Sequence, residues 1–480
     1  MSKTLTGLWP GFEFKEHQQI GIRWMIGNEK EGIGGMLCDD MGLGKTIQMA
    51  GLIKNGVRKL GEDTLLIAPV AVLEQWKDVV KRSKMNVYVP SKSGVSWIIE
   101  GKKLSLAPNV YVIGYEAALR KMTLVKAYTW DRVIYDEAHR MGSDNTSSKL
   151  ALLLKCKRIW LLTGTPIVNK VKDLRMLLEI AGIKCPATQD LDLMTPILKK
   201  YVMARSMNQL REAAGAAAPP VPEYKTVELE FNTEEEKEFY NGMTGVITKR
   251  WKALEADGGS GAALERLKLF MRLRQLSLHP QIYIAGRKKT LKNLYTRPDW
   301  TASSTKFDAL REIICTSKTS HKWIVFTHFH LEMDMLQDMF KEESSIQLVQ
   351  QYNGRLTPAQ KQDVLSRTHI PLAEGKQEVL LVQLQSGGTG INLQHFDKII
   401  FTGPWWTKAL MEQAVGRAVR IGQTKVVTVY SLRLKGEESL NIDTYMFDKA
   451  ALKGELCRSV LAKANTTMSL PKDAEIHAHQ

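Results

Sequence analysis

The segment CDDMGLGKTIQ, residues 38–48, lies between an apolar strand pattern, GGMLC, and a helical pattern, TIQMAGLI. Its Gly44, Lys45 and Thr46 match the end of the phosphate-binding pattern G-x-x-x-x-G-K-[ST], whereas Asp39 stands at the position of the first glycine. A loop that opens a helix directs backbone N–H groups at a phosphate. Lys45 can reach the β- and γ-phosphates of ATP, and the Thr46 hydroxyl can hold Mg²⁺. On its own, the segment also fits a plain glycine turn. The predicted ATP-binding residues of this loop are Asp39, Met41, Gly42, Leu43, Gly44, Lys45 and Thr46.

A second element supports the nucleotide site. The segment VIYDEAH places Asp136 and Glu137 at the end of an apolar strand, downstream of the loop. Asp136 at this position can hold Mg²⁺ through water, and Glu137 can orient or deprotonate the attacking water. The sequence therefore predicts catalytic roles for Lys45, Asp136 and Glu137, with Thr46 and Asp136 as the Mg²⁺ residues.

Two series of short apolar runs alternate with helical patterns, which predicts an α/β protein with two parallel sheets. The middle of the chain reads as helical and contains two stretches rich in Gly, Ala and Pro, at 213–224 and 256–263. The predicted domains are a first lobe over 1–205, a helical linker or protrusion over 206–300, a second lobe over 301–440, and a C-terminal helix and tail over 441–480.

The second lobe contains QAVGRAVRIGQ, in which Gln413, Arg417 and Arg420 fall at i, i+4 and i+7. On a helix these three side chains would share one face. Arginines so placed can stabilise charge on a γ-phosphate, which predicts a catalytic role for all three residues and a site that closure of the lobes completes. A basic helix that faces solvent or nucleic acid is the alternative.

The composition narrows the partners and the compartment. The formal net charge is +16, which fits either a polyanionic partner such as nucleic acid or a basic enzyme without one. The five cysteines show no C-x-x-C spacing, so we expect neither a zinc site nor a disulfide framework. No uninterrupted apolar run approaches the roughly 18 residues that span a bilayer. We expect a soluble intracellular protein without a membrane partner.

The order of these motifs resembles that of the Swi/Snf family of DNA-dependent ATPases in helicase superfamily two, from about Phe14 to about Asp443. An acidic residue at the position of Asp39 is a trait of that family. The segments that carry the resemblance are FKEHQQIGIRWM (14–25), CDDMGLGKT (38–46), LIAPVAVLEQW (66–76), WDRVIYDEAHRM (130–141), LLTGTPIVN (161–169), LRQLSLHP (273–280), WIVFTHF (323–329) with YNGRLT (352–357), SGGTGINLQHFDKIIFTGPWW (386–406) and QAVGRAVRIGQ (413–423).

The resemblance implies two RecA-like lobes, ATP and Mg²⁺ as cofactors, and translocation along double-stranded DNA without obligatory strand separation. It also implies a role in moving or displacing DNA-bound protein, and we expect the target to be set by a partner or by DNA structure. A strand-separating helicase and a catalytically silent DNA-binding scaffold remain alternatives. The further site residues that it implies are Gln18 for adenine, Gly390 for the nucleotide, and Pro69, Thr163, Thr165, Gly387 and Gly388 for DNA or for coupling.

The chain departs from the family pattern at several positions, none of which removes a group that hydrolysis needs. These positions are Val168, Val419, Gln383 with Leu384, Trp406, and the segment 201–210, which keeps only Arg205 of a basic cluster. Trp405 is expected to pack beneath the Gln413–Gln423 segment, with base stacking as the alternative.

Overall fold

The computed structural model describes residues 4–56, 62–142, 146–167, 170–186, 190–214, 218–257, 261–384, 391–405, 407–420, 422–435 and 441–468. By its internal contacts the chain divides into two compact units. The first comprises residues 1–219 with 453–480, and the second comprises residues 220–452. Among the described residues, no helix is long and apolar enough to cross a membrane.

The first unit is built on an eight-stranded sheet in the order β4-β3-β5-β2-β6-β7-β1-β8. All neighbouring strands run parallel except β3 and β4. Alternate residues of β2 enter different apolar cores, Leu65 and Ile67 in one and Leu66 and Ala68 in the other, because helices cover both faces. The strands are β1 Gly35–Leu37, β2 Asp63–Ala68, β3 Asn86–Pro90, β4 Trp97–Ile99, β5 Asn109–Gly114, β6 Trp130–Asp136, β7 Cys156–Leu162 and β8 Val202–Met203.

The helices of the first unit follow the expected apolar spacing. In the helix Val70–Arg82 the buried residues Val72, Trp76, Val79 and Val80 form one stripe, which packs on the sheet. The other helices are Glu16–Lys30, Lys45–Asn55, Tyr115–Arg120, Met122–Lys126, Thr146–Leu153, Val171–Ile180, Leu191–Tyr201 and Met207–Ala214, with a 3₁₀ turn at Ala138–Arg140.

The second unit contains a six-stranded, all-parallel sheet in the order β11-β12-β10-β13-β14-β9. Its strands are β9 Glu223–Leu229, β10 Lys322–Thr327, β11 Ile346–Tyr352, β12 Gln377–Gln383, β13 Lys398–Phe401 and β14 Thr428–Leu434. The predicted α/β class with two parallel sheets is thus confirmed, apart from the antiparallel strand β4.

The helices of the middle region and of the second lobe are Glu234–Asp257, Ala262–Leu278, Pro280–Leu291, Thr305–Cys315, His330–Lys341, Pro358–Arg367, Lys408–Val415 and Ile442–Leu461, with a 3₁₀ turn at Lys292–Leu294. The region 206–300, predicted as a helical linker or protrusion, also contains the strand β9, which pairs with β14 along its whole length and was not predicted. The strand lies at the sheet edge with mostly exposed side chains, so it lacks the apolar run that marks a buried strand.

Candidate nucleotide-binding site

The loop after β1 takes a conformation that only glycine adopts without strain at two positions. Gly42 and Gly44 have φ of 88° and 81°, and Gly44 precedes the helix that begins at Lys45. A Cβ atom on Gly44 would lie 2.6 Å from Nε2 of Gln18. The backbone conformation therefore favours glycine at position 44, and a side chain there would also displace the Gln18 amide.

Two residues of the first helix contact this loop. Gln18 Nε2 donates to the carbonyl oxygen of Leu43 at 3.4 Å, and His17 Nε2 lies 3.0 Å from the same oxygen. Because a carbonyl only accepts, His17 carries its proton on Nε2. Burial lowers the pKa of His17, which keeps its ring neutral. The predicted adenine-reading residue Gln18 thus lies directly beside the loop.

The Lys45 ammonium forms hydrogen bonds with two backbone carbonyls of its own loop. Its Nζ donates to the backbone oxygen of Asp39 at 2.6 Å and to that of Asp40 at 3.3 Å. A Cβ on Gly164, between the predicted coupling residues Thr163 and Thr165, would stand 3.9 Å from this Nζ, so the coupling segment lies close to the ammonium. Thr46 follows in the first turn of the helix and is half-buried. Both residues thus lie in the first turn of the helix that follows the loop.

Asp39 directs its carboxylate into the protein. The side chain is fully buried, and its two oxygens accept from Arg205 Nε at 2.9 Å, Arg205 Nη2 at 2.5 Å and Gln48 Nε2 at 2.9 Å. Arg205 also donates to the backbone oxygen of His17. The residue at the position of the first glycine therefore anchors the loop to β8 and to two helices, and it offers its backbone oxygen to Lys45.

Asp136 and Glu137 stand at the carboxyl end of β6. The Asp136 carboxylate accepts from Trp76 Nε1 at 2.7 Å and from the backbone N–H of Glu137 at 2.9 Å, and Tyr115 Oη donates to its carbonyl at 2.9 Å. Burial, reinforced by the nearby Glu137 carboxylate, raises the pKa of Asp136. Glu137 has φ 51° and ψ 49°, a left-handed conformation that non-glycine residues rarely adopt.

The same strand end is connected to the predicted coupling threonines. His139 Nδ1 lies 3.4 Å from Glu137 Oε2 and 3.2 Å from Thr163 Oγ1, and the Thr163 hydroxyl accepts from the backbone N–H of Thr165 at 3.1 Å. Burial lowers the pKa of His139 to about 4, so the Glu137 contact is made by a neutral ring and is not an ion pair. Pro69, at the end of β2, precedes the helix that carries Trp76.

In the second unit, Gln413 and Arg417 are buried and Arg420 is half-buried. The predicted helix through all three residues is wrong, because the helix ends at Val415 and turns follow it. Gly416 lowers helix propensity at this point. Two of the backbone bonds that follow are of i→i−3 type, Arg417 N–H to the Ala414 oxygen at 3.2 Å and Ala418 N–H to the Val415 oxygen at 3.0 Å. Burial lowers the pKa of Arg420.

Trp405 is buried, as expected of a packing residue. Its ring stacks on His328 with a centroid distance of 5.3 Å, and the Arg274 guanidinium lies 4.6 Å from the Trp405 ring centroid. Arg274 Nη2 also lies 2.6 Å from His328 Nδ1. Arg274, His328 and Trp405 each lie in a segment that carries the family resemblance. The sequence did not predict that their side chains meet, because these segments are 54 or more residues apart.

Several predicted positions lie outside the described residues, namely Gly387, Gly388, Gly390, Val168 and Trp406. All five cysteines are free thiols, and among the described residues no group of three or more His, Cys, Asp or Glu is arranged to hold a metal. Thr46 and Asp136 supply a hydroxyl and a carboxylate oxygen, which are ligands that Mg²⁺ prefers.

Comparison with known families gives two matches in chain order. Residues 17–191 match the SNF2-related domain, and residues 305–422 match the helicase conserved C-terminal domain, so that together they cover more than half of the chain. The chain belongs to the Swi/Snf family. The first match contains the predicted loop and the Asp136–Glu137 pair, and the second contains Gln413, Arg417 and Arg420.

The relatives are distant and longer than this family member. It is 27% identical over 441 residues to an uncharacterized ATP-dependent helicase of Mycoplasma pneumoniae, and 25% identical over 482 residues to the ISWI chromatin-remodeling complex ATPase ISW1 of Saccharomyces cerevisiae. The alignments cover 88% and 95% of this chain but only 40% and 41% of those relatives. A solved Sulfolobus solfataricus SWI2/SNF2 ATPase core in complex with dsDNA is 21% identical, with a TM-score of 0.41 over 97% of this chain and 100% of that one.

Proposed function

We propose that the protein is a DNA-dependent ATPase that couples ATP hydrolysis to movement along double-stranded DNA and so displaces or remodels DNA-bound protein. The main observation behind this proposal is the structure of the loop before Lys45. The Lys45 ammonium donates to the backbone carbonyl of Asp39 in this loop, and the Gln18 amide donates to the backbone carbonyl of Leu43. Membership of the Swi/Snf family and the names of the relatives support the substrate class.

The residues of the first unit divide the chemistry among them. Lys45 exchanges the Asp39 and Asp40 carbonyls for the β- and γ-phosphates when nucleotide binds. Thr46 and Asp136 would hold Mg²⁺, which would neutralise charge on the phosphate oxygens. Glu137 orients the attacking water or accepts its proton.

The second unit is proposed to supply further catalytic residues. Arg417 and Arg420 stabilise the charge that develops on the γ-phosphate, and Gln413 assists in positioning it. A role at the nucleotide is also proposed for Gly390, because a glycine would permit close approach of the backbone. Replacing Arg420 by alanine should therefore slow turnover at saturating ATP while ADP affinity stays nearly unchanged. An equivalent change at the exposed Arg367 should alter neither quantity, and a loss of ADP affinity without a loss of turnover would contradict the role of Arg420.

DNA is proposed as the partner because of the distribution of charge. Residues 266–298 contain nine lysines and arginines and no acidic residue. Lys289 and Lys292 in this segment are exposed. Proteins that neutralise phosphates bind with an affinity that falls with salt, by a slope of about 0.9 for each phosphate contacted. Pro69, Thr163, Thr165, Gly387 and Gly388 are proposed to contact the DNA backbone or to couple that contact to the nucleotide.

The salt dependence of DNA binding tests whether this basic segment contacts DNA. Changing Lys289 and Lys292 together to glutamine should reduce the slope of log Kd against log salt for duplex DNA by roughly 2. The matched control is the same change at the exposed pair Lys318 and Lys341. Equal slopes for both double variants would place the DNA contact elsewhere.

Steady-state ATP hydrolysis tests the main proposal, measured without nucleic acid and with duplex DNA, single-stranded DNA or RNA. Stimulation by duplex DNA, lost in Lys45→Ala but kept in Lys54→Ala on the same helix, is the expected result. Preference for single-stranded DNA would favour a strand-separating helicase. DNA binding without turnover under any condition would favour a scaffold.

A further inference from the structure

Trp76 is a buried tryptophan whose indole N–H is aimed at one of the carboxylates of the candidate site. Its side chain is 1% exposed, and its Nε1 lies 2.7 Å from Asp136 Oδ2. We propose that Trp76 is a positioning residue, which fixes the Asp136 carboxylate in the orientation that holds Mg²⁺–nucleotide. This inference rests on the proposed nucleotide function and deepens it.

The geometry constrains the carboxylate from both of its oxygens. Oδ2 accepts from Trp76 and Oδ1 accepts from the backbone N–H of Glu137 at 2.9 Å, so that rotation about the Cβ–Cγ bond would break both bonds. Each carboxylate oxygen keeps a further lone pair for a metal-bound water. The indole N–H is only a donor and does not ionise, so the charge of Trp76 itself does not change with pH.

The rest of Trp76 is fixed by packing. The residue lies on the buried stripe of the helix Val70–Arg82 and belongs to the apolar core of the first unit that also contains Val80 and Leu66. A donor on such a rigid ring orients its acceptor more precisely than a flexible side chain does. Partners that orient metal-binding groups in this way typically contribute about 10- to 100-fold to metal affinity or activity.

A purely structural role for the hydrogen bond is the competing explanation, and the same unit contains the control for it. Trp160 is also fully buried in this core, and its Nε1 donates to a carboxylate oxygen of Glu29 at 3.0 Å. Glu29, however, is bound by Arg132 at 2.5 Å and lies in an ion-pair cluster with Arg158. Both tryptophans therefore lose the same hydrogen-bond type on change to phenylalanine, but only one of them contacts a proposed Mg²⁺ residue.

The experiment measures ADP binding by calorimetry to the full chain, once with Mg²⁺ and once with EDTA. In wild type and in W160F, Mg²⁺ should strengthen ADP binding by the same factor. In W76F that factor should fall by about 10-fold or more, while ADP affinity in EDTA stays unchanged. An unchanged Mg²⁺ factor in W76F, or an equal fall in EDTA, would overturn the assignment of Trp76.

The same experiment tests the proposed nucleotide function separately. If the wild-type protein binds no ADP at all, the nucleotide function itself is overturned, and not only the role of Trp76. If W76F does not fold, benzothienylalanine at position 76 keeps the ring shape and replaces only the N–H. The same loss of the Mg²⁺ factor is expected with that residue, and its retention would overturn the assignment.

Discussion

Replacing Asp39 by glycine would complete the common phosphate-binding pattern. From the motif alone, one would therefore expect the change to leave stability and ADP binding unaltered or to improve them. The structure gives the opposite expectation. The Asp39 carboxylate is the buried partner of Arg205, which has a side chain with no exposed surface. The change leaves this guanidinium in the interior without its counter-charge.

The magnitude follows from the geometry of the pair. Removing one partner of a buried ion pair costs about 3–5 kcal/mol of unfolding free energy. For a unit of this size, that loss lowers the melting temperature by roughly 6–20 °C. Changing Arg205 to methionine in the same protein removes the unpaired charge, and the double variant should recover at least about 2 kcal/mol of the loss.

Thermal and denaturant unfolding of the single and double variants measure these differences, and ADP titration reports on the loop. Asp363→Ala, which breaks an exposed pair with Arg367 at 3.0 Å, is the control and should cost less than about 1 kcal/mol. If Asp39→Gly melts within 2 °C of wild type, a limit of about 1 kcal/mol for this size, and binds ADP equally well, then the buried pair does not hold the loop.

Three further outcomes are expected from the first and second units. Burial lowers the pKa values of His139 and His279 to about 4. As the pH falls from 6.5 towards 4, these histidines are therefore protonated in the unfolded chain but stay neutral in the folded chain, which destabilises the fold. Denaturant titrations near pH 5 should show the unfolding free energy falling by at most about 1.4 kcal/mol per pH unit for each histidine. N-ethylmaleimide at pH 8 should modify half-buried Cys185 before Cys38, whose thiol pKa is raised by burial, as read by mass spectrometry over time. Gly44→Ala places a Cβ on a left-handed residue and against Gln18, and should lower both the melting temperature and ADP affinity.

The sequence predicted the buried strands well, because a strand covered on both faces must be apolar along its length. The apolar runs VYVIGY (110–115) and EVLLVQL (378–384) match the buried strands β5 and β12 to within one residue at each end. β9 and β4 were missed because edge strands face solvent and lack that run. Nothing in a local window shows that residues 223–229 pair with residues 428–434, some two hundred positions away.

The candidate site shows the same limit at the level of side chains. The loop pattern predicted the positions of Lys45 and Thr46, because phosphate binding depends on local backbone geometry. It could not predict where the Asp39 carboxylate points, since its partner Arg205 comes from a different strand end 166 residues away. The prediction that Gln413, Arg417 and Arg420 share one helix face was wrong, because it required the helix to continue beyond Gly416.

The left-handed backbone of Glu137 is the feature that the sequence least suggests, and its surroundings explain how it persists. Its N–H donates to Asp136 Oδ1, and the next turn brings His139 against Thr163, at 3.2 Å, on the neighbouring loop. Strain at such a residue costs about 1–3 kcal/mol and is retained only where several contacts hold it. Changing His139 to alanine removes the contact with Thr163, so Glu137 should lose its fixed orientation, and turnover should fall more than ADP affinity does. Equal losses of both would mean that His139 supports the fold of the site as a whole and not the placement of Glu137.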